Sequence, residues 1–300
     1  MNIFALDVKL NEPCTLALGY FDGVHLGHQR VIELAVKKAK EKGIKCGVFT
    51  FTDENRLCRK KAERGEIYTR KRCLEYLEDL GIDFVIMPDF KEFCSLAPIE
   101  FVNLICERYG ARALFCGEDY KFGKQASGNA EKLSELAKKE GAEVFVCKKV
   151  SENGVLVSST AICAALKEGN IELANALLGR PFSIKSEVVG GKHIGKKHLY
   201  PTVNQHFDKD SVPVKNAVYA SRASFNGKTY PAVTNIGFCP TVQSKKEEPV
   251  AETYIIDENA ELYGSIIEVE LLRRLRDEKK FDSIEALKEQ ISADIEAARK

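Results

Sequence analysis

Three hundred residues carrying 45 Lys and Arg against 44 Asp and Glu leave a net charge of +1. No broad field therefore draws the chain to nucleic acid or to an anionic membrane, and any phosphate binding has to be local. No apolar run approaches the roughly 20 residues of a bilayer span, and the start, MNIFALDVKLNEPC, lacks the basic and apolar regions of a signal peptide.

In chain order, TLALGYF reads as a buried strand. HQRVIELAVKKAKEKG follows as a helix with Val31, Ile32, Ala35, Val36 and Ala39 on one face and Gly43 as its C-cap. KCGVFTF is strand-like, RKRCLEYLEDLG helical, DFVIMPDF strand-like and APIEFVNLICERYG helical. ARALFCG, EKLSELAKKEG and AEVFVCKK continue as strand, helix and strand, and TAICAALKEGNIELANALLG closes the region with helical periodicity. This alternation predicts βαβ units, a parallel sheet with helices on both faces and a Rossmann-like α/β class. Near residues 180–185 the texture changes. SIKSEVVGG, AVYASRASF, KTYPAVTNIG, VAETYIID and SIIEVELLRRL succeed one another as strands, with Asn226-Gly227 as a type I′ hairpin turn. Only SIEALKEQISADIEAARK reads as a helix there, with Ser283 as its N-cap. Two domains are expected: an α/β domain over 1–182, then a small antiparallel β-barrel with one terminal helix over 183–300. The ten cysteines are scattered, form no CxxC pair and mostly sit inside apolar runs. They read as reduced thiols of a cytoplasmic protein.

Ligands of a doubly wound sheet bind beyond the carboxyl ends of its strands. GYFDGVHLGH, residues 19–28, occupies such a place between a strand and a helix start. Gly19, Gly23 and Gly27 let backbone amides approach an oxyanion, the helix start adds partial positive charge, and His25 and His28 are hydrogen-bond donors for phosphate oxygens. That set suits nucleotidyl transfer, which needs positioning and electrostatic stabilisation more than a covalent nucleophile. Two unrelated histidines in a glycine-rich turn is the plain alternative. A metal site fits poorly, because no nearby Cys, Asp or Glu cluster completes a ligand set. Ser158-Ser159-Thr160 ahead of AICAALKEG reads independently as a helix-capping cluster.

GYFDGVHLGH resembles the signature of the nucleotidyltransferase module in bacterial bifunctional riboflavin kinase/FAD synthetases. GEDYKFGKQASGN at 117–129, VSSTAI at 157–162, GKKHLYPTVN at 195–204, NIGFCPTV at 235–242, VAETYIID at 250–257 and the stretch 262–299 are similar to that family's later motifs, in order and over essentially the whole chain. The resemblance implies that the first module transfers AMP from ATP to FMN. His25 and His28 would contact the ATP phosphates, Gly19, Phe21, Asp22 and Gly23 would shape the nucleotide-binding turn, and Ser159 and Thr160 would bind phosphate. Asp119, Phe122 and Gly123 would lie beside the flavin. It further implies that the second module moves the ATP γ-phosphoryl group to the ribityl hydroxyl of riboflavin. Gly195, Thr202 and Asn204 would hold ATP, with Thr202 and Asn204 also on Mg²⁺, Glu252 would be the general base, and Arg276 would flank the flavin. Riboflavin, FMN and ATP are thus the implied partners, without nucleic acid or membrane.

Three departures from the pattern stand out. Ala161 and Cys163 occupy positions where the family carries arginines, and neither side chain supplies a guanidinium's fixed fork for phosphate. FTFTDENRL lacks the His-Pro pair usual after the second strand, where Arg56 or Arg59 would be the nearest cations in sequence. Leu199 replaces a glycine before Thr202. Three functions remain open on the sequence: a bifunctional enzyme, a riboflavin kinase with a silent first module, and a non-catalytic flavin- or nucleotide-binding regulator.

Overall fold

In the computed structural model the described residues are 1–53, 65–189, 201–239, 248–258 and 261–300. Backbone proximity divides the chain into two compact units, Met1–Ser159 and Thr160–Lys300. That division falls earlier than the compositional change, because the two helices before residue 180 group with the second unit.

The first unit is built on a six-stranded parallel sheet. Its strands are β1 (Asn2–Phe4), β2 (Cys14–Leu18), β3 (Lys45–Phe49), β4 (Phe84–Ile86), β5 (Ala111–Gly117) and β6 (Glu143–Cys147), in spatial order β1-β4-β3-β2-β5-β6. Helix α1 (Leu26–Lys42) buries the five predicted residues Val31, Ile32, Ala35, Val36 and Ala39, and ends on Gly43 in the left-handed conformation at φ 64°. Further helices are α2 (Arg70–Asp79), α3 (Pro98–Asn103) and α4 (Ala130–Lys139). A core of strand residues such as Leu16, Leu114 and Ile86 packs with Phe101, Ile105, Tyr109 and Leu133. A short hairpin, β7 (Ser151–Glu152) and β8 (Val155–Leu156), turns on Asn153-Gly154, both at positive φ.

Among the cysteines with described side chains, Cys14, Cys46, Cys73, Cys106, Cys116, Cys147 and Cys163 are buried, and Cys94 is half-buried. Burial pushes the Cys14 and Cys46 thiols up to about 12, far from the thiolate that oxidation or metal binding requires.

The second unit opens within α5 (Ser159–Glu168), and α6 (Ile171–Leu178) follows. The single helical run expected there is broken at Gly169, φ 76°, and Asn170 caps the second piece by accepting from the Leu173 N–H. Six antiparallel strands follow: β9 (Phe182–Glu187), β10 (Thr202–His206), β11 (Ala217–Phe225), β12 (Lys228–Cys239), β13 (Glu248–Ile255) and β14 (Ile266–Asp277). Their order is β10-β13-β12-β11-β14-β9. The two edges approach each other through the Val189–Asn204 bridge and through Gln205, whose amide donates to Ser186 and Ile267 carbonyls. That closure gives the expected barrel. Asn226 and Gly227 join β11 to β12 at φ 49° and 72°, as a type I′ turn requires.

Helix α7 (Ile284–Ala298) is capped by Ser283 as expected and packs on Val218, Val233 and Ile256 through Ile295 and Ile291. It is anchored by the buried Asp294, which takes the Arg276 Nε and Nη2 at 3.0 and 2.7 Å and the Gln290 amide at 2.9 Å. Removing one partner of such a pair leaves the other poorly compensated. Asp294→Ala is therefore expected to destabilise this unit by about 2 kcal/mol or more. A lower urea midpoint by circular dichroism would show it; an unchanged midpoint would reduce the pair to an ordinary surface contact.

Candidate functional sites

Strand β2 lies where the sheet order reverses: β3 is on one side of it and β5 on the other. The crevice beyond the carboxyl ends of β2 and β5 is the switch point at which such sheets bind ligands. GYFDGVHLGH follows β2, and GEDYKFG leaves β5 at the same end. Topology thus brings together two segments about a hundred residues apart.

The turn itself is tightly held. Phe21 and Val24 have φ of 57° and 41°, and Gly23 has 77°. For the first two, side chains this large in the left-handed region cost about 1–3 kcal/mol each. A side chain at Gly23 would also meet Ile67 Cδ1 at 2.8 Å. Phe21 is buried beneath the turn. Asp22 is 1% exposed, and its Oδ1 accepts from the Ile67 N–H at 2.9 Å. Its carbonyl accepts from Ser159 Oγ at 3.3 Å, so Ser159, the last residue of the first unit, joins this site. The Gln29 amide donates to the Val24 carbonyl at 2.9 Å.

His25 caps α1, its Nδ1 accepting from the His28 N–H at 3.3 Å. That bond sets the neutral tautomer, with the ring proton on Nε2, a donor for an oxyanion. The His25 and His28 rings stack at 3.6 Å between centroids and 15° between planes, and Phe21 meets His28 edge-on at 5.2 Å. Two imidazoles and a helix N-terminus thus share one turn.

Tyr20 brings a group that sequence pattern does not announce. Its carbonyl accepts from Thr50 Oγ1 and from Arg70 Nη1, both at 2.9 Å, and the Arg70 guanidinium lies 3.9 Å over its ring. Burial pushes the Tyr20 phenol up, so at neutral pH it is a donor, and it donates to Glu66 Oε1 at 2.5 Å.

The loop after β5 divides its predicted residues. Phe122 is buried against Phe101 and Tyr120, anchoring the loop in the core. Gly123, φ 73°, packs where a side chain would strike Pro98. Asp119 is exposed, with Lys149 Nζ 3.8 Å away. Thr160 is exposed on the first turn of α5, Ala161 is half-buried, and Cys163 is 2% exposed. An arginine at the Cys163 position would therefore begin from a packed interior. Arg56, Arg59, Gly195 and Leu199 lie outside the described residues.

In the barrel, Asn204 stands directly opposite Glu252 across β10 and β13, and Asn235 stands opposite Glu252 across β13 and β12. Paired residues share a face, so these three form a row. Thr202, two residues before Asn204, joins the same face and donates from Oγ1 to Glu252 Oε1 at 2.7 Å. The opposite face is fixed by a buried hydroxyl chain, Ser221 to Thr234 at 2.7 Å and Thr234 to Thr253 at 2.9 Å. With Thr234 and Thr253 inside, Asn235 and Glu252 must point outward, and Glu252 is exposed. The Asn235 amide donates to Glu278 Oε1 at 3.2 Å, adding a second carboxylate. Neither Asn235 nor Glu278 was among the sequence-derived candidates, although NIG at 235–237 lay within a motif already noted. Arg276 donates to Asp294 from Nε and Nη2.

Comparison with known proteins fits this division of labour. A model of the FAD synthetase family matches residues 7–161, and one of the riboflavin kinase family matches residues 178–300. The chain is accordingly a transferase with an FAD synthetase domain and a riboflavin kinase domain. A bifunctional riboflavin kinase/FMN adenylyltransferase of Bacillus subtilis (strain 168) is 36% identical over 94% of this chain and 90% of its own length. Its counterpart in Buchnera aphidicola subsp. Schizaphis graminum is 34% identical, covering 97% and 95%. The chain belongs to the family of bifunctional riboflavin kinase/FMN adenylyltransferases. A solved structure from Streptococcus pneumoniae, described as a macrolide-efflux protein, shares the fold over 100% of this chain and 99% of its own, with 28% identity and a TM-score of 0.90. Among the described residues of this chain, no helix is long and apolar enough to cross a membrane. Both enzyme families matched in one chain support the bifunctional reading over a lone kinase or a non-catalytic regulator.

Proposed function

We propose that this chain phosphorylates riboflavin to FMN at the outward face of its barrel and adenylylates FMN to FAD at the histidine turn, as a cytoplasmic enzyme using ATP for both steps. The observation that carries the proposal is Glu252, held on the outward barrel face beside the Thr202 hydroxyl and opposite Asn204. A carboxylate there is placed to take the proton of an attacking ribityl hydroxyl as its oxygen bonds to the γ-phosphorus and ADP departs. The Thr202 hydroxyl, the Asn204 amide and the Glu252 carboxylate are hard oxygen donors, the kind Mg²⁺ takes alongside nucleotide phosphates. Thr202 and Asn204 would hold that ion, which when bound neutralises phosphate charge. The proposed kinase module is 183–300, and the adenylyltransferase module is 1–182.

In the first module, the α1 N-terminus, His25 and His28 bind and stabilise the ATP phosphates while an FMN phosphate oxygen attacks the α-phosphorus and pyrophosphate leaves. Ser159 and Thr160 add hydroxyl donors to the phosphates, and Asp119 and Gly123 border the flavin, with Phe122 fixing their loop from below. Incubation with riboflavin, ATP and Mg²⁺, followed by chromatography of the flavins, is expected to give FMN first and FAD after it. Accumulation of FMN alone, with supplied FMN also left unconverted, would overturn the first module's assignment. Unchanged riboflavin would overturn the second's.

A further inference from the structure

We propose that Arg70 is a positioning residue for adenylyl transfer, holding the histidine turn in its strained shape through the carbonyl of Tyr20; this rests on the assignment of that reaction to the turn. The turn carries positive φ at Phe21, Gly23 and Val24, immediately before His25. Such backbone persists only where its surroundings over-determine it. Ile67 and Ser159 hold Asp22, and the Tyr20 carbonyl is gripped by Thr50 Oγ1 and by Arg70. Arg70 opens α2, fifty residues on, and reaches the carbonyl with Nη1 at 2.9 Å.

The grip has more than one prong. The guanidinium carbon lies 3.9 Å over the Tyr20 ring, Nη2 meets Glu66 Oε1 at 3.2 Å, and that same carboxylate oxygen takes the Tyr20 phenol. Tyr20, Glu66 and Arg70 therefore close a three-membered clamp over the residue that enters the turn. Only a planar, forked cation can stack on the ring and bond in two directions at once. Arg70 touches no reacting group in this arrangement. Its effect reaches the chemistry by fixing where His25 and His28 stand, and displacements near 1 Å at such a site can cost about a hundredfold in rate.

The test uses the full chain, whose kinase activity serves as an internal control. Arg70→Gln should lower kcat for FAD formation from FMN by about ten- to a hundredfold, with riboflavin phosphorylation changed less than about twofold. Arg70→Lys should fall between, since an ammonium still donates to the carbonyl but neither stacks nor forks. The imidazole ¹H–¹⁵N resonances of His25 and His28 should move in Arg70→Gln, a response that a merely stabilising residue would not give. If Arg70→Gln loses both activities by unfolding, Tyr20→Phe decides, because it cuts the Glu66 link while keeping the ring, and FAD formation should drop several-fold. FAD formation at the wild-type rate in Arg70→Gln, or in Tyr20→Phe where that variant decides, with unmoved imidazoles, overturns the proposal. A wild-type chain that makes no FAD overturns the adenylyl-transfer assignment itself.

Discussion

Replacing Glu252 by Gln is expected to reduce riboflavin phosphorylation by about a hundredfold or more, the range by which a positioned general base contributes. Gln keeps the size of the side chain and an oxygen that can still accept from Thr202 Oγ1, now at 2.7 Å from the carboxylate. What it loses is basicity. The hydroxyl chain through Ser221, Thr234 and Thr253 lies on the other face of the sheet and is untouched, so the strand register should survive. The loss should therefore appear in kcat for FMN formation, with FAD formation from supplied FMN unchanged. FMN produced at the normal rate would remove Glu252 as the base. Loss of both activities together would point to folding instead, a result that thermal denaturation would identify. Asn235→Ala makes a useful companion, since it keeps Glu252 but frees Glu278 from its amide contact.

The buried face of α1, the Gly43 cap, the Asn226-Gly227 turn and the Ser283 cap were all legible in sequence because each rests on interactions within a few residues. Apolar spacing reports the burial of a face, and a left-handed cap needs glycine wherever it occurs. What escaped depends on distance along the chain. Strand β1 is three residues long and gains its partner from Phe84–Ile86, some eighty residues later, so its short run carries no period of its own. Strand β10 was hidden in the same way, in a polar stretch that the β13 register makes into a strand. The break at Gly169 was visible as a glycine, but the apolar period continues across it and suggested one helix.

The same distinction runs through the candidate sites. GYFDGVHLGH announced itself because its glycines and histidines are contiguous. Whether Glu252 faces in or out was undecidable from VAETYII, and the answer came from Thr253, held inside by a threonine on β12. Arg70 sits in RKRCLEYLEDLG, which reads only as a charged helix start, and its meaning comes from a carbonyl fifty residues earlier. Arg276 gains a partner that its motif does not show: Asp294, one turn from the end of α7, is buried and takes the guanidinium.

The second large effect is expected at His28. His28→Ala should lower FAD formation from FMN and ATP by about 10²–10³-fold, the cost of removing one preorganised donor from a developing oxyanion. Its ring stacks on His25 and is met edge-on by Phe21, but its backbone N–H, not its side chain, makes the capping bond to His25 Nδ1. Alanine retains that N–H and favours the helix, so α1 should start where it does now. His25→Ala differs in kind. It removes the acceptor as well as a donor, and should add about 0.5–2 kcal/mol of lost capping stability to the lost catalysis. The two variants thus separate chemistry from folding: comparable losses of kcat for FAD, with a lower thermal midpoint only in His25→Ala. Riboflavin phosphorylation should persist in both. A His28→Ala chain that makes FAD at the wild-type rate would leave the turn as a structural cap. Adenylyl transfer would then have to be carried by the helix N-terminus and the hydroxyls of Ser159 and Thr160 without an imidazole beyond His25.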